Sequence, residues 1–168
     1  MDTLQEQFSL IYDQYIEKIY RFIFLKVNLQ ETAEDITSKA FLKLWESYQN
    51  RKEIKNPKAF LYKIARNLVI DYYRQKDKNQ VVSEDNIPEM IDIKTDVHEF
   101  AVLNSDIQEI KVAIGQLKKD YQDVIIWHYL DDLSDQEIAE IMDKPAGTVR
   151  VMIHRGLQML REILEGKS

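Results

Sequence analysis

The chain has 168 residues, of which 45% are hydrophobic, with a formal net charge of −6 and no cysteine. This length suits one domain or two small ones, the absence of cysteine excludes disulfides and thiolate metal sites, and the acidic charge argues against a protein that binds DNA by bulk electrostatics alone. Because the sequence shows neither a signal-peptide pattern nor an apolar run long enough to span a membrane, we expect a cytoplasmic protein that does not insert into a membrane.

The first predicted element is a helix over residues 4–27. Apolar residues recur there at steps of three or four, which is the period of one buried helix face. Several of them are aromatic and would suit a stacking surface for nucleic acid. Aromatic residues at this spacing more often belong to a core, so we assign them to the core.

A second helix is predicted from about Thr32 to Tyr48, after a short connection over residues 28–31. Glu34 and Asp35 would lie in its first turn, where carboxylates favour the positive end of the helix dipole. Its apolar band is broad and includes Ile36, Ala40, Phe41, Leu44 and Trp45. Such a band indicates either a surface for a partner or a core plugged by Trp45.

The third predicted helix begins at Pro57, with Asn56 as its N-cap. Residues 49–80 contain nine Lys or Arg against three Asp or Glu, and Tyr72 and Tyr73 lie among the cations. Basic residues interleaved with aromatic ones are typical of surfaces that bind single-stranded nucleic acid. An ordinary solvated basic face is the alternative.

Residues 81–96 lose helical periodicity and are acidic and polar. We predict that this segment is a linker between two domains, residues 1–80 and residues 97–168. Helical periodicity returns over residues 100–117 and again over about 120–130, and we find no convincing strand. The fold class is therefore predicted to be all-α, with two small helical domains.

The segment from Ser134 to Leu164 has the pattern of a helix-turn-helix. Ser134 and Glu137 form a capping box, and Pro145 separates a short helix from a second one. The second helix has one apolar face and an opposite face that carries Arg150, His154, Gln158 and Arg161. This layout favours a helix in a DNA major groove over an ordinary helical hairpin inside a core.

Four sequence blocks carry a family resemblance. Three lie in the N-terminal half: FxxIYDQYxxxIYRF, AEDITSKAFLKLWESY and NPKAFLYKIARNLVIDYYRQ. The fourth, in the C-terminal half, is DYQDVIIWHYLDDLSDQEIAEIMDKPAGTVRVMIHRGLQMLRE. The first three resemble region 2 of bacterial sigma factors of the extracytoplasmic-function (ECF) group, and the fourth resembles their region 4.

The resemblance implies a subunit that joins core RNA polymerase, recognises promoter DNA and opens it. It implies that the second helix docks on a coiled coil of the largest polymerase subunit through Asp35, Ser38, Phe41, Leu42 and Trp45. The implied readers of the minus-ten element are Arg51, Lys52, Lys55, Arg66, Asn67, Asp71, Tyr72 and Arg74. The implied readers of the minus-thirty-five element are Thr148, Arg150, Val151, His154 and Arg155. Relatives are commonly held inactive by an anti-sigma factor, which we expect here as a further partner.

Two departures from the family pattern make promoter specificity non-transferable. Val151 and Met152 follow Arg150 where many relatives carry Ser-Arg, and Gln75 follows Arg74 where relatives often carry a second arginine. Without the arginine of the Ser-Arg pair, one bidentate contact with a guanine is missing. An apolar side chain such as Val151 can instead contact a thymine methyl.

Two other functions compete with the sigma-factor hypothesis. A free-standing helix-turn-helix regulator would bind operator DNA without polymerase. An enzyme is disfavoured because His98, His128 and His154 lie on separate predicted helices and no Gly-rich phosphate loop is present. We therefore expect no catalytic activity, no cofactor and no metal.

Overall fold

The computed structural model describes residues 3–50, 53–78 and 105–166, without the side chains of residues 105–108. The chain divides into two compact units, Met1–Ile93 and Lys94–Ser168. The described residues form helices and no strand, so the predicted all-α fold class is confirmed. The predicted linker, residues 81–96, and the beginning of the helix predicted at residue 100 lie outside the described residues.

The described residues of the N-terminal unit form three long helices, α1 (Thr3–Val27), α2 (Gln30–Gln49) and α3 (Pro57–Lys78). Each helix packs on the other two. Their apolar faces form a core in which the largest fully buried side chains are Tyr62, Phe22, Phe24, Ile19, Ile23, Leu44 and Leu61. The core prediction for the second half of the first helix is therefore confirmed.

The connection between α1 and α2 is shorter than predicted. α2 begins at Gln30, and the preceding Leu29 provides no side-chain cap, so the sequence carried no capping signal there. Asn28 makes the turn in the left-handed region, with φ of 62°. Asn tolerates this conformation better than most residues. Glu34 and Asp35 consequently lie in the second turn of α2, and the prediction that they occupy the first turn is wrong.

The start of α3 is confirmed as predicted. The Ala59 N–H donates to the Asn56 side-chain oxygen at 3.2 Å, and Pro57 is the first helical residue. At the other end of α3, the Tyr73 hydroxyl donates to the Lys26 carbonyl near the end of α1. Burial raises the pKa of Tyr73 to about 12, with a smaller contribution from Tyr72. Tyr73 therefore remains a neutral donor that joins the two helix ends.

The C-terminal unit contains α4 (Ser105–Gly115), α5 (Lys119–Ile125), α6 (Asp135–Met142) and α7 (Ala146–Leu164). A π-helical turn, Ile126–Leu130, follows α5 directly. The helix predicted over residues 120–130 is thus present but changes its hydrogen-bond pattern halfway. The turn buries Ile126 and Trp127 completely in the core of this unit.

The predicted helix-turn-helix is formed by α6 and α7. The Glu137 N–H donates to the Ser134 hydroxyl at 3.1 Å, and the Ser134 N–H donates to the Glu137 carboxylate at 2.9 Å, which completes the capping box. Asp143 ends α6 in the left-handed region with φ of 56°, and Pro145 precedes the first residue of α7. The predicted boundaries of both helices are confirmed.

The capping box should contribute measurably to the stability of the C-terminal unit. We expect Ser134→Ala to lower its free energy of unfolding by about 1 kcal/mol, because the Glu137 amide loses its acceptor. Thermal unfolding of the full chain, followed by circular dichroism, measures this effect. Thr148→Ala is the matched control, since Thr148 is an exposed hydroxyl residue on α7. An equal loss in both variants would contradict the role of the cap.

α5 and α7 approach each other closely at Gly156. A Cβ atom at this position would lie 3.1 Å from Cγ1 and 3.2 Å from Cδ1 of Ile125, which is itself buried. Gly156 therefore allows a helix contact that a larger residue would obstruct. By contrast, among the described residues no side chain or backbone beyond the neighbouring residues and nearby backbone of its own helix lies within 4 Å of a Cβ built at Gly115.

The same substitution at these two glycines should change stability in opposite directions. Gly156→Ala gains about 1 kcal/mol of helix propensity but overpacks Ile125 at a cost of about 1–3 kcal/mol, so we expect a net loss of roughly 1 kcal/mol. Gly115→Ala has no such clash and should gain up to about 1 kcal/mol. Melting temperatures of the two variants check this, with expected shifts of about 4–8 °C per kcal/mol. A stabilised Gly156→Ala variant would show that Ile125 moves aside without cost.

Candidate functional site

The outer side of α7 carries the predicted minus-thirty-five set. The structure leaves all of its members exposed: Thr148, Arg150, Val151, His154 and Arg155. The inner side is buried through Val149, Ile153, Gly156 and Leu160. One face of α7 therefore stabilises the unit, and the other offers cations, a hydroxyl, an imidazole and an apolar side chain to a ligand.

Arg150 is held only weakly in its observed position. Its guanidinium lies 3.8 Å from the Asp135 carboxylate, and its side chain is 60% exposed. The Asp135 side chain is 26% exposed, and a partly exposed ion pair of this length contributes about 1 kcal/mol or less. Because the first turn of α7 has no acidic residue, the positive end of the helix dipole is not offset there. Arg150 can thus exchange Asp135 for a phosphate or a base edge.

The predicted polymerase-binding set on α2 divides into exposed and buried members. Asp35, Ser38 and Leu42 are exposed, and Leu42 retains 55% of its accessible surface. Trp45 is partly buried. Phe41 is only 4% exposed, so in this structure its ring lies beneath the exposed surface of α2. Phe41 is buried because one side of the broad apolar band of α2 faces α1. There the centroids of the Phe41 and Tyr12 rings are 5.0 Å apart.

An aromatic cluster connects α1 with the second half of α2. It consists of Phe8, Tyr12, Phe41 and Trp45, and the ring centroids of Phe8 and Trp45 are 5.2 Å apart in an edge-to-face arrangement. Tyr12 is 41% exposed, so assigning every aromatic residue of α1 to the core was too broad. Through the contact between Phe8 and Trp45, the cluster supports the Trp45 ring and the neighbouring surface of α2. Helical periodicity predicted the row of aromatic residues on α1, but it could not show which of them lie outside the core.

The predicted minus-ten set lies along α3 and the segment before it. Lys55, Asn67, Asp71 and Arg74 are exposed, and Arg66 and Tyr72 are partly buried. Arg51 and Lys52 lie outside the described residues. Asp71 and Arg74 form an exposed ion pair at 3.8 Å. The Lys76 ammonium lies 5.9 Å from the centroid of the Tyr72 ring, so a cation accompanies this aromatic side chain.

A cleft of about 490 Å³ separates the first half of α2 from the second half of α3. Ile36 and Leu68 contribute apolar surface, whereas Asp35, Asp71 and Tyr72 contribute polar groups. One residue of the predicted polymerase set and two of the predicted minus-ten set therefore line the same cleft. Sequence spacing gave no indication of this proximity, because these residues are about 36 positions apart.

The histidines are not brought together. His128 packs edge-on against Tyr129 in the π-helical turn, whereas His154 is exposed on α7, and His98 lies outside the described residues. Among residues 3–50, 53–78 and 105–166, no group of three or more acidic or histidine side chains is arranged to hold a metal ion. Within the same ranges, no helix combines the length and apolar character that crossing a membrane requires.

The sequence also matches known family profiles and proteins. Residues 11–79 match the profile described as Sigma-70 region 2, and residues 107–160 match Sigma-70, region 4. The ECF RNA polymerase sigma factor SigW of Bacillus subtilis is 33% identical over 168 residues, covering 95% of this chain and 90% of the relative. SigX of the same organism is 28% identical over 175 residues, covering 96% of this chain and 86% of the relative.

Solved structures share the fold at lower sequence identity. The sigma factor RpoE from Bartonella quintana, solved with the anti-sigma factor NepR, has a TM-score of 0.69 at 21% identity, with 95% of this chain and 98% of that chain covered. CnrH, solved with the cytosolic domain of CnrY, has a TM-score of 0.68 at 16% identity, with 98% of this chain and 91% of that chain covered. Two region profiles in the family's order, with relatives aligned over nearly their whole length, place this chain in the ECF group of sigma-70 family RNA polymerase sigma factors.

Proposed function

We propose that this sigma factor divides promoter recognition between its two helical units. Residues 1–80 bind core RNA polymerase and read the minus-ten element, residues 81–96 serve as the linker, and residues 97–168 read the minus-thirty-five element. The observation that carries this proposal is the two-sided character of α7, whose buried face anchors it while its outer side remains exposed.

In the C-terminal unit, α7 enters the major groove of the minus-thirty-five element. Its contact residues are Thr148, Arg150, Val151, His154 and Arg155. Arginine can donate two hydrogen bonds to a guanine, and an exposed valine can pack against a thymine methyl. Val151 is 47% exposed, which leaves enough apolar surface for such a contact.

In the N-terminal unit, the polymerase contact is formed by Asp35, Ser38, Leu42 and Trp45. Leu42 offers an exposed apolar side chain, and Trp45 offers a ring already held against Phe8. Tryptophan is among the residue types that most often dominate the binding energy of protein interfaces. Phe41 acts beneath this surface, where it supports α2 without touching the polymerase.

The minus-ten element is opened and held by α3 and the segment before it. A flipped base requires polar groups beside an aromatic side chain, which Asn67, Asp71 and Tyr72 provide. The displaced strand requires cations along its backbone. That role falls to Arg51, Lys52, Lys55, Arg66 and Arg74.

Two further properties belong to this proposal. A protein of the anti-sigma class holds the chain inactive, because the RpoE relative was solved in complex with one. The chain acts in the cytoplasm with the polymerase and has no catalytic activity of its own, since its surfaces offer binding groups for polymerase and DNA.

Reconstitution tests the proposal. The purified chain is mixed with core RNA polymerase, and transcripts from a promoter library are scored. We expect co-purification with the polymerase and promoter-dependent initiation. A gel shift with the chain alone distinguishes the sigma factor from a free-standing regulator, because the regulator would bind an operator tightly without polymerase. Failure to co-purify or to initiate would contradict the sigma-factor assignment.

A further inference from the structure

An acidic residue of α6 lies beside Arg150, the arginine of α7 that we assign to base recognition. The Arg150 Nη1 atom is 3.8 Å from the Asp135 Oδ2 atom, and the Asp135 side chain is 26% exposed. The Arg150 Nη2 atom lies 3.7 Å from the position that a Cβ atom at Gly147 would take. The guanidinium is therefore folded back over the first turn of α7, with the Asp135 carboxylate beside it.

The backbone of Asp135 is held in place by the capping box. Asp135 is the first residue of α6 and follows the N-cap Ser134 directly. The Ser134 hydroxyl accepts from the Glu137 N–H at 3.1 Å, and the Ser134 N–H donates to the Glu137 carboxylate at 2.9 Å. Because an aspartate side chain is short, the Asp135 carboxylate stays near the guanidinium whatever Arg150 binds.

Without Asp135, the surroundings of Arg150 would suit a phosphate. The first turn of α7 has no acidic residue, so the positive end of its helix dipole adds to the charge of the guanidinium. Helix N-termini and arginine side chains both bind phosphate readily. The cation alone therefore does not make Arg150 a reader of bases.

The Asp135 carboxylate acts differently on a phosphate and on a base edge. A phosphate is an anion and is repelled, whereas a guanine offers Arg150 the neutral acceptors O6 and N7. In water, the repulsion between two unit charges about 4 Å apart corresponds to roughly a fivefold change in affinity. The carboxylate thus lowers the affinity of Arg150 for phosphate and leaves its contact with a base available.

We propose that Asp135 is a specificity-determining residue that acts through Arg150. It disfavours a phosphate at the guanidinium and so directs Arg150 to the neutral edge of a base. This inference rests on the proposed function, in which α7 reads the minus-thirty-five element. Specificity is a difference between two affinities, and here it is gained by weakening the contact with the wrong ligand.

The test uses the chain assembled with core polymerase and two duplex probes of equal length, one with the preferred promoter and one without a promoter. We expect Asp135→Asn to bind the promoter-free duplex up to about fivefold more tightly at low salt. The slope of log affinity against log salt on that probe should steepen by about 0.9, the value for one added phosphate contact. Affinity for the promoter should change less, so the ratio of the two affinities falls.

Matched variants accompany Asp135→Asn. Asp135→Ser is a second uncharged variant and should give the same steeper slope, whereas Asp135→Glu keeps the charge and should keep the low promoter-free affinity. Glu162→Gln removes a negative charge from an exposed position near the end of α7 and should change neither probe. In an Arg150→Ala background, Asp135→Asn should have no effect, because no guanidinium remains to bind a phosphate.

The other outcomes separate this inference from the proposed function. If the unmodified chain initiates but both uncharged variants keep its promoter-free affinity and slope, the role of Asp135 is overturned and the sigma-factor assignment stands. Equal losses on both probes would make Asp135 a structural support and would overturn its role in specificity. A gain of the same size in Glu162→Gln or in the Arg150→Ala background would assign the effect to net charge and overturn it as well. If the unmodified chain neither co-purifies with polymerase nor initiates, the proposed function fails and the role of Asp135 fails with it.

Discussion

Replacing Arg150 with alanine is expected to weaken binding of the polymerase-bound chain to its minus-thirty-five element by about 1–3 kcal/mol, or roughly 5- to 150-fold. The guanidinium lies in the first half of α7, which is the part of a recognition helix that meets base edges. The side chain is exposed, so the substitution removes a ligand contact and no core packing.

The measurement is a competition assay between the preferred promoter and variants changed at single base pairs. If Arg150 reads a base, the Arg150→Ala variant should lose discrimination at one position and keep it at the others. A uniform loss across all sequences would mark Arg150 as a phosphate contact instead. Lys118→Ala is the matched control, because Lys118 is an exposed cation of the same unit that lies outside α7.

Folding stability should barely change in the Arg150→Ala variant. The contact with Asp135 at 3.8 Å is long and only partly buried, and it contributes about 1 kcal/mol or less. A thermal melt of the variant checks this directly. A large drop in melting temperature would mean that the loss of DNA binding reports on unfolding, and the assignment of Arg150 to the DNA surface would then lack support.

α7 was predicted well from the sequence because the spacing of its apolar residues defines both the buried face and the exposed face of the helix. Apolar residues at Val149, Ile153 and Leu160 repeat with the helical period and are buried, and the polar Arg150 and His154 between them are exposed. The start of the preceding helix was equally clear, since the Ser134 cap is a local hydrogen-bond pattern that sequence spacing reveals. Local chemistry was sufficient in both cases.

Features that depend on contacts between helices were not predictable in the same way. The burial of Phe41 depends on which side of a broad apolar band meets α1. The contact between Gly156 and Ile125 depends on how closely two helices pack, and Tyr15 meets Lys58 only because α1 and α3 are neighbours. None of these pairs has a spacing in the sequence that marks it.

The beginning of α2 was misplaced for a different reason. Leu29 supplies no capping side chain, and Asn28 turns the chain through a conformation that no periodicity reports. The π-helical turn at Ile126–Leu130 was missed because its apolar content matches that of an ordinary buried helix. In both places the backbone departs from regular geometry while the side-chain pattern remains helical.

Leu42→Asp is expected to weaken assembly with core RNA polymerase by about 2 kcal/mol or more, equivalent to at least roughly 30-fold, as for a central interface residue. The side chain is 55% exposed on α2, beside the partly buried Trp45 ring. Burying an aspartate against an apolar partner without a compensating charge carries a large desolvation penalty. Titration of labelled core polymerase with the purified variant measures the loss.

The exposure of Leu42 makes a matched control available within the same unit. Leu10 on α1 is 67% exposed and lies outside the proposed polymerase surface, so Leu10→Asp introduces the same charge at a comparable position. We expect Leu10→Asp to assemble like the unmodified chain and both variants to melt within a few degrees of it. Equal losses of assembly in the two variants would mean that added negative charge, and not the α2 surface, controls polymerase binding. Retained assembly in Leu42→Asp would remove α2 from the interface.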